Sequence, residues 1–349
     1  MTFSISGRRI GKGHQPFVIA ELSGNHNGDI SRAFALIDAA KKTGADAVKF
    51  QTYTPDTMTI DSPQPDFLIR GGPWDGRVLY ELYGEAQTPW EWHEELFSYA
   101  QKLGLICFST PFDETAVNFL ETLNVPAYKI ASFELVDTPL IRYVARTGKP
   151  LIMSTGMGSL AEIDEAVAAA REGGAKDIVL LHCISAYPAP AEEANLSNIA
   201  RLAERYGCAI GLSDHTLGTE VSIAAVALGA VLIEKHITLA RSDGGPDAAF
   251  SLEPAEFTAL VESVRTASQA VGGGEFRRAK SEQGSVVFRR SLYVVKDIAA
   301  GEVITKENVR SIRPGYGLAP KRFDEILGRK ASRSLKRGTP FSLDMIEQS

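Results

Sequence analysis

The run VLIEKH, residues 231–236, consists of three apolar residues followed by a carboxylate, an ammonium and an imidazole. Charge inside a buried strand is costly unless it is paired or used, so three ionisable groups closing one apolar run call for a reason. Working outward, the same pattern recurs seven more times. FVIAEL (17–22) reaches Glu21, AVKFQ (47–51) carries Lys49 and Gln51, and LICFST (105–110) closes on Thr110. AYKIASFE (127–134) carries Lys129, Ser132 and Glu134, and PLIMST (150–155) carries Ser154. IVLLHC (178–183) carries His182, and AIGLSDH (209–215) ends on Ser213, Asp214 and His215. Each run is short, nearly all apolar and rich in Val and Ile, the pattern of a strand buried on both faces of a parallel sheet, and each precedes a stretch of helical periodicity. Eight such units predict an α/β fold, a (β/α)8 TIM barrel, in which catalytic groups sit at the C-terminal ends of the strands. Ordinary turn residues would be Asp, Asn, Gly and Ser. Three lysines, three histidines and several carboxylates at strand ends are a different composition, and one that chemistry needs.

A barrel takes about 250 residues, and this chain has 349. The surplus predicts two domains. The Gly-rich, charged stretch VGGGEFRRAKSEQGS marks a linker, which divides the chain into a barrel at residues 1–274, a linker at 275–288 and a small β-rich module at 289–349. That last module has short apolar pieces between Gly and Pro turns, and at about 60 residues it is near the lower limit for a core of its own. The longest non-periodic insertion, residues 53–90, follows the second strand on the active-site side and is expected to shape a substrate pocket. The net charge of −6 with no basic block gives no support for binding to nucleic acid or membrane. The opening MTFSISGRRIGKGH lacks an apolar signal core and no run reaches about 18 apolar residues, so a cytoplasmic protein is expected. Cys107, Cys183 and Cys208 have no paired spacing and read as reduced thiols.

The strand-end groups suggest a reaction type. Lys49 and Lys129, with the hydroxyls of Thr110, Ser132, Ser154 and Ser213, suit a small phosphorylated anion. His215 and His236 close the seventh and eighth strands, which are neighbours in a barrel, and their rings are placed to share a divalent ion. With Glu21, Glu134, Asp214, Glu234 and Asp247 expected nearby, the oxygen-rich surroundings favour an exchangeable ion such as Mn2+ over a closed zinc site. Cys183 reads as a small buried strand residue rather than a sulfur ligand.

The segments IAELSGNHNGD, AVKFQTY, FSTPFDETAVNFL, YKIASFE, LIMSTGMG, LLHCISAYPAP, GLSDHT and EKHITLARSDGGPDAAFSLEP together resemble the sialic acid synthase family, enzymes that condense phosphoenolpyruvate with an amino sugar to make nine-carbon nonulosonic acids. The C-terminal module resembles the antifreeze-like (SAF) domain of the same family. Within it, Ser185 stands where the N-acetylneuraminate synthases tend to have Asn, and Ala248 follows Pro246 and Asp247 where they tend to have His. Those differences, with segments 54–61 and 74–93, look like the branch using a less polar 6-deoxy sugar. The implied reaction joins 2,4-diacetamido-2,4,6-trideoxy-L-altrose, phosphoenolpyruvate and water to give pseudaminic acid and phosphate.

The resemblance also implies individual roles. Phosphoenolpyruvate binding falls to Lys49, Thr110, Lys129, Ser132, Ser154 and Ser213, with Gln51 beside them. Glu21 and Glu134 order the substrates, with Glu134 activating the water that attacks carbon two. His215 and His236 hold the metal, with Mn2+ first and Co2+ or Mg2+ as alternatives, and Asp247 holds a metal-bound water. Ser185 and Tyr187 face the sugar, and Arg313 reaches the sugar site of the partner in a domain-swapped homodimer. Three alternatives stay open at this point: a synthase for N-acetylneuraminate or legionaminic acid, an aldolase using Lys129 or Lys49 as a Schiff base, and a binding module without activity.

Overall fold

The computed structural model describes residues 2–348 and divides into two compact units, one ending at Gly273 and the other beginning at Gly274. The first begins with an antiparallel hairpin of β1 (Thr2–Ile5) and β2 (Arg8–Gly11). Its turn places Ser6 and Gly7 at φ 46° and 79°, the left-handed pair that suits a two-residue hairpin. Phe3, Ile5 and Ile10 from this hairpin join the main core. Arg8 Nε donates to Asp46 Oδ1 at 3.1 Å, just before the second barrel strand, so the hairpin lies at the N-terminal end of the barrel.

Eight strands then close a parallel barrel: β3 (Phe17–Glu21), β4 (Ala47–Thr52), β5 (Ile106–Pro111), β6 (Tyr128–Ile130), β7 (Leu151–Ser154), β8 (Ile178–Cys183), β9 (Ala209–Asp214) and β10 (Leu232–His236), with β10 pairing back onto β3. These are the eight runs read from the sequence. Each is followed by its helix: Ile30–Thr43, His93–Lys102, Glu114–Thr122, Thr138–Ala145, Leu160–Glu172, Asn198–Tyr206, Glu220–Ala227 and Pro254–Val271. Local chemistry starts and stops them. Asp29 caps the first by accepting from the Ser31 amide at 2.8 Å, and Gly44 ends it at φ 83°, a side-chain N-cap and a left-handed C-cap. Ser159 and Glu162 form a capping box on the fifth. Inside the barrel, a Cβ on Gly211 would sit 2.5 Å from the Leu232 carbonyl oxygen and 2.7 Å from Leu181 Cδ2. Strands β9 and β10 can therefore pair here only with glycine.

The insertion at residues 53–90 is not a bare loop. It contains short helices at Pro55–Met58 and Leu79–Ala86, and between them a small hairpin tied by the Leu68–Val78 bridge. In the second unit, β11 (Ser291–Val294) and β12 (Val309–Ile312) pair antiparallel over a separate core built on Leu292, Val294, Ile304, Val309, Ile326 and Phe341. Among the described residues no helix is long and apolar enough to cross a membrane.

Candidate active site

Successive side chains of a strand alternate between lumen and helix layer. Register fixes which strand-end residues meet inside: Glu21 lies level with Lys49 and His236, and Glu234 level with Ser213. The Lys49 ammonium lies 2.8 Å from Glu21 Oε2, 3.1 Å from Thr110 Oγ1 and 3.5 Å from Glu234 Oε1. Lys129 lies 3.2 Å from the same Glu234 Oε1, to which Ser213 Oγ donates at 3.3 Å. Gln51 donates to Glu21 Oε1 at 3.0 Å. All four charged groups are buried.

Their titration reflects competition between desolvation and partners. Burial opposes the Lys49 cation, but Glu21 and Glu234 more than offset it and its pKa rises. Burial wins at Lys129, which is lowered, and at Glu21, which is raised. At Glu234 burial is outweighed by Lys129 and Lys49, and the carboxylate is favoured. Around this cradle, among the described residues, three buried atoms have no hydrogen-bond partner: Glu234 Oε2, Ser154 Oγ and Glu134 Oε2. Buried polar atoms are rarely left in that state. Here they mark a site built for a polar ligand. Burial also pushes Glu134 up to about 7, which poises it between acid and base near neutrality.

His215 and His236 stand beside the cradle with ring centroids 5.5 Å apart. His215 Nδ1 is 2.9 Å from the Ile184 carbonyl oxygen. Only an Nδ1–H can make that bond, and in the neutral ring this leaves Nε2 with its lone pair. Burial favours that neutral ring, but Cys183 and the Ile184 carbonyl outweigh it and raise the His215 pKa, so a metal ion would have to displace a proton there. His236 Nδ1 is 3.2 Å from Ser23 Oγ. Burial, reinforced by His215 and Lys49, holds the His236 pKa well below its usual value, so it is neutral as a ligand must be. The pair fits a divalent ion as two oriented donors. Among the described residues no group of three or more His, Cys, Asp or Glu is gathered to enclose one, so water or substrate would complete the shell, as in open catalytic sites. Asp247 is next to this pair: its Oδ2 accepts from the Gly24 amide at 3.4 Å, and burial raises its pKa. Cys183 Sγ lies 3.5 Å from Ser132 Oγ and 3.8 Å from both Ser185 Oγ and His215 Nδ1. The Tyr187 ring packs against that of His215, centroids 4.5 Å apart and tilted by 44°.

Some expectations need correction. Asp214 is not part of the oxygen-rich surroundings of the histidines. It pairs with Lys235 at 2.8 Å and accepts from Thr216 and Ser222 on the outer side of the barrel. His182 likewise points outward, its Nε2 2.6 Å from the Ala194 carbonyl oxygen. Alternation is the reason, because each is the next residue after an inward-facing one or just before it. Ser132 and Glu134 follow β6 rather than end it: Ser132 immediately precedes the 3-10 turn Phe133–Val136, which contains Glu134. Arg313 is exposed in the second unit. Residues not picked out from the strand ends include Ser23, which holds His236, and Phe250, whose ring packs 5.0 Å from His236 and 5.1 Å from Tyr187. Ser23 has φ 40° in the SGNHNG turn, whose Gly and Asn content is the available signal. Phe250 has none.

A parallel (β/α)8 barrel whose strand ends converge on a buried two-lysine cradle and an oriented histidine pair is the architecture of an enzyme. The chain belongs to the NeuB family, whose profile matches residues 36–276, and a SAF domain matches residues 289–347. It is 48% identical to the pseudaminic acid synthase of Helicobacter pylori over 335 residues, covering 96% of this chain and 98% of that protein. It is 38% identical to the N,N'-diacetyllegionaminic acid synthase of Campylobacter jejuni, over 91% of this chain and 96% of that one. Among solved structures, the N-acetylneuraminic acid synthetase of Leptospira borgpetersenii in complex with citrate superposes with a TM-score of 0.74 at 32% identity, covering 82% of this chain and 95% of that one.

Proposed function

We propose that this enzyme is a pseudaminic acid synthase: a C–C bond-forming transferase that condenses phosphoenolpyruvate with 2,4-diacetamido-2,4,6-trideoxy-L-altrose and water, releasing phosphate. The observation that carries the choice of sugar is the graded likeness, 48% and 47% to two pseudaminic acid synthases against 38% to a legionaminic acid synthase and 33% to a mouse N-acetylneuraminate-9-phosphate synthase.

The geometry supports the chemistry. Lys49 and Lys129, with Thr110, Ser132, Ser154 and Ser213, receive the carboxylate and phosphate, the unpartnered Ser154 hydroxyl gaining its missing bond. Glu21 fixes Lys49 and Gln51 in place. His215 and His236 would hold a divalent ion, Mn2+ first and Co2+ or Mg2+ as alternatives, which would supply Lewis-acid polarisation of the sugar's aldehyde oxygen. Carbon three of the enol forms the new bond to the aldehyde carbon as the C=O π bond opens, and the aldehyde oxygen takes up a proton from solvent to become the hydroxyl. Glu134, poised near neutrality, takes the proton of the water that adds at carbon two, and phosphate leaves as that carbon becomes the keto centre. Asp247 holds water near the histidines, while Ser185 and Tyr187 face the sugar. Arg313 serves the site of the partner in a domain-swapped homodimer, and the reaction takes place in the cytoplasm. The test is phosphate release from phosphoenolpyruvate with and without each amino sugar. Release only with the di-acetamido 6-deoxy sugar supports the reading, and release with none of them ends it.

A further inference from the structure

The insertion after β4 delivers one aromatic ring to the mouth of the barrel. Its hairpin is closed by the Ile69 amide donating to the Arg77 carbonyl at 2.8 Å and the Gly76 amide to the Ile69 carbonyl at 2.9 Å. Gly71 and Gly72, at φ 79° and 75°, turn the chain at its tip through a region that favours glycine. Trp74 sits on this tip. Its indole N–H donates to the Pro246 carbonyl at 2.9 Å, on the residue preceding Asp247, and its ring centroid lies 5.6 Å from that of Tyr187. Tyr187 in turn packs against His215 and Phe250, and Phe250 against His236. Trp74, Tyr187 and Phe250 thus form a continuous aromatic wall running up to the two histidines.

The other two tryptophans are occupied differently. Trp90 stacks on Phe119 at 4.8 Å, and Trp92 packs edge-on to His26 at 5.5 Å. Trp74 keeps part of its surface open, and the only polar atom of its side chain is already bonded. What it offers a ligand is therefore an apolar face alone. An ordered hairpin whose tip pins an indole against Tyr187 and Pro246 at the barrel mouth is costly to build unless that face is used.

We propose that Trp74 is a specificity-determining residue, its indole face covering the C–H and methyl-bearing side of the amino sugar opposite the histidines. This rests on the functional reading above. A 6-deoxy sugar with two acetamido groups presents more methyl surface to such a wall than a sugar with a terminal hydroxymethyl group does. The phosphorylated anion, held at the lysine cradle, makes no use of it.

The experiment compares wild type with Trp74→Ala and Trp74→Phe in steady-state kinetics, varying each substrate in turn, and follows tryptophan fluorescence on sugar addition. Loss of one well-placed apolar contact is worth roughly 10- to 200-fold in kcat/KM. Trp74→Ala should lose that much for the di-acetamido sugar, carried in its KM, while the KM for phosphoenolpyruvate stays within about twofold. Trp74→Phe, which keeps an aromatic face but loses the N–H bond to Pro246, should recover most of the loss. Sugar should change the fluorescence of wild type and not of Trp74→Phe. An unchanged sugar KM in Trp74→Ala, or equal losses for both substrates, overturns the proposal. A wild type that ignores the di-acetamido sugar but turns over another overturns the functional reading instead.

Discussion

Replacing Glu234 by Gln removes one negative charge from between two buried ammonium groups and leaves the shape of the site intact. At 3.2 Å and 3.5 Å from Lys129 and Lys49, and with an effective dielectric of about 20, each attraction is worth on the order of 5 kcal/mol before desolvation is counted. Breaking a buried pair by removing one partner costs about 3–5 kcal/mol net, because the remaining charge stays buried. Gln retains a carbonyl acceptor for Ser213 and the lysines, so the lower end, about 3 kcal/mol, is expected. That corresponds to a drop of roughly 6–12 °C in thermal midpoint for a unit of this size. The variant's cradle carries one more positive charge, so phosphoenolpyruvate should raise its midpoint by more than it raises that of wild type. Asp164→Asn, which breaks the exposed pair with Arg205, is the control and should leave the midpoint unchanged. Differential scanning calorimetry with and without phosphoenolpyruvate reads all three. If Glu234→Gln melts within about 2 °C of wild type and responds to the ligand no more strongly, the idea of a charge-balanced anion cradle is wrong.

Glu134, raised to about 7 by burial, binds its proton more tightly folded than unfolded. Its contribution to stability is present below about pH 4.5 and is lost as pH rises toward 7. Glu134→Gln should accordingly be more stable than wild type at pH 8, by about 1–3 kcal/mol in urea titration, with the gain vanishing near pH 4.5, while its turnover falls and the rate limb near neutrality disappears. Chelation should abolish phosphate release and Mn2+ or Co2+ should restore it, and His236→Ala should bind phosphoenolpyruvate with little turnover. Full activity after exhaustive chelation would contradict the assignment. Arg313→Ala should raise the sugar KM, and mixing it with His236→Ala after subunit exchange should recover activity, since one site in a mixed dimer carries neither change. No recovery after confirmed exchange rules out shared sites.

All eight barrel strands are legible in the sequence, because a strand buried on both faces must be apolar throughout and its polar terminus then stands out. Position at a strand end is a weaker guide to role. His182, Asp214 and Lys235 end strands as visibly as Cys183, Ser213 and Glu234, yet face the helix layer. Counting by twos from Ser213 and Glu234 separates them, and the sequence contains that information. The N-terminal hairpin escapes a reading by pattern because strands of four residues with one buried face leave only Phe3, Ile5 and Ile10 as signal. Trp74 and Phe250 cannot be found from spacing, since they reach the site through long loops whose path is set by tertiary contacts such as the indole bond to Pro246.

The central claim is that this barrel joins phosphoenolpyruvate to a di-acetamido 6-deoxy sugar. The most direct measurement is a competition in one vessel: limiting phosphoenolpyruvate, Mn2+, and equal concentrations of 2,4-diacetamido-2,4,6-trideoxy-L-altrose, the aldose precursor of legionaminic acid and N-acetylmannosamine, with products separated by chromatography and identified by mass and NMR. The account predicts pseudaminic acid in excess of the others by more than the roughly 10- to 200-fold that one contact can supply. Comparable yields, or a product dominated by N-acetylneuraminate or legionaminic acid, would contradict it.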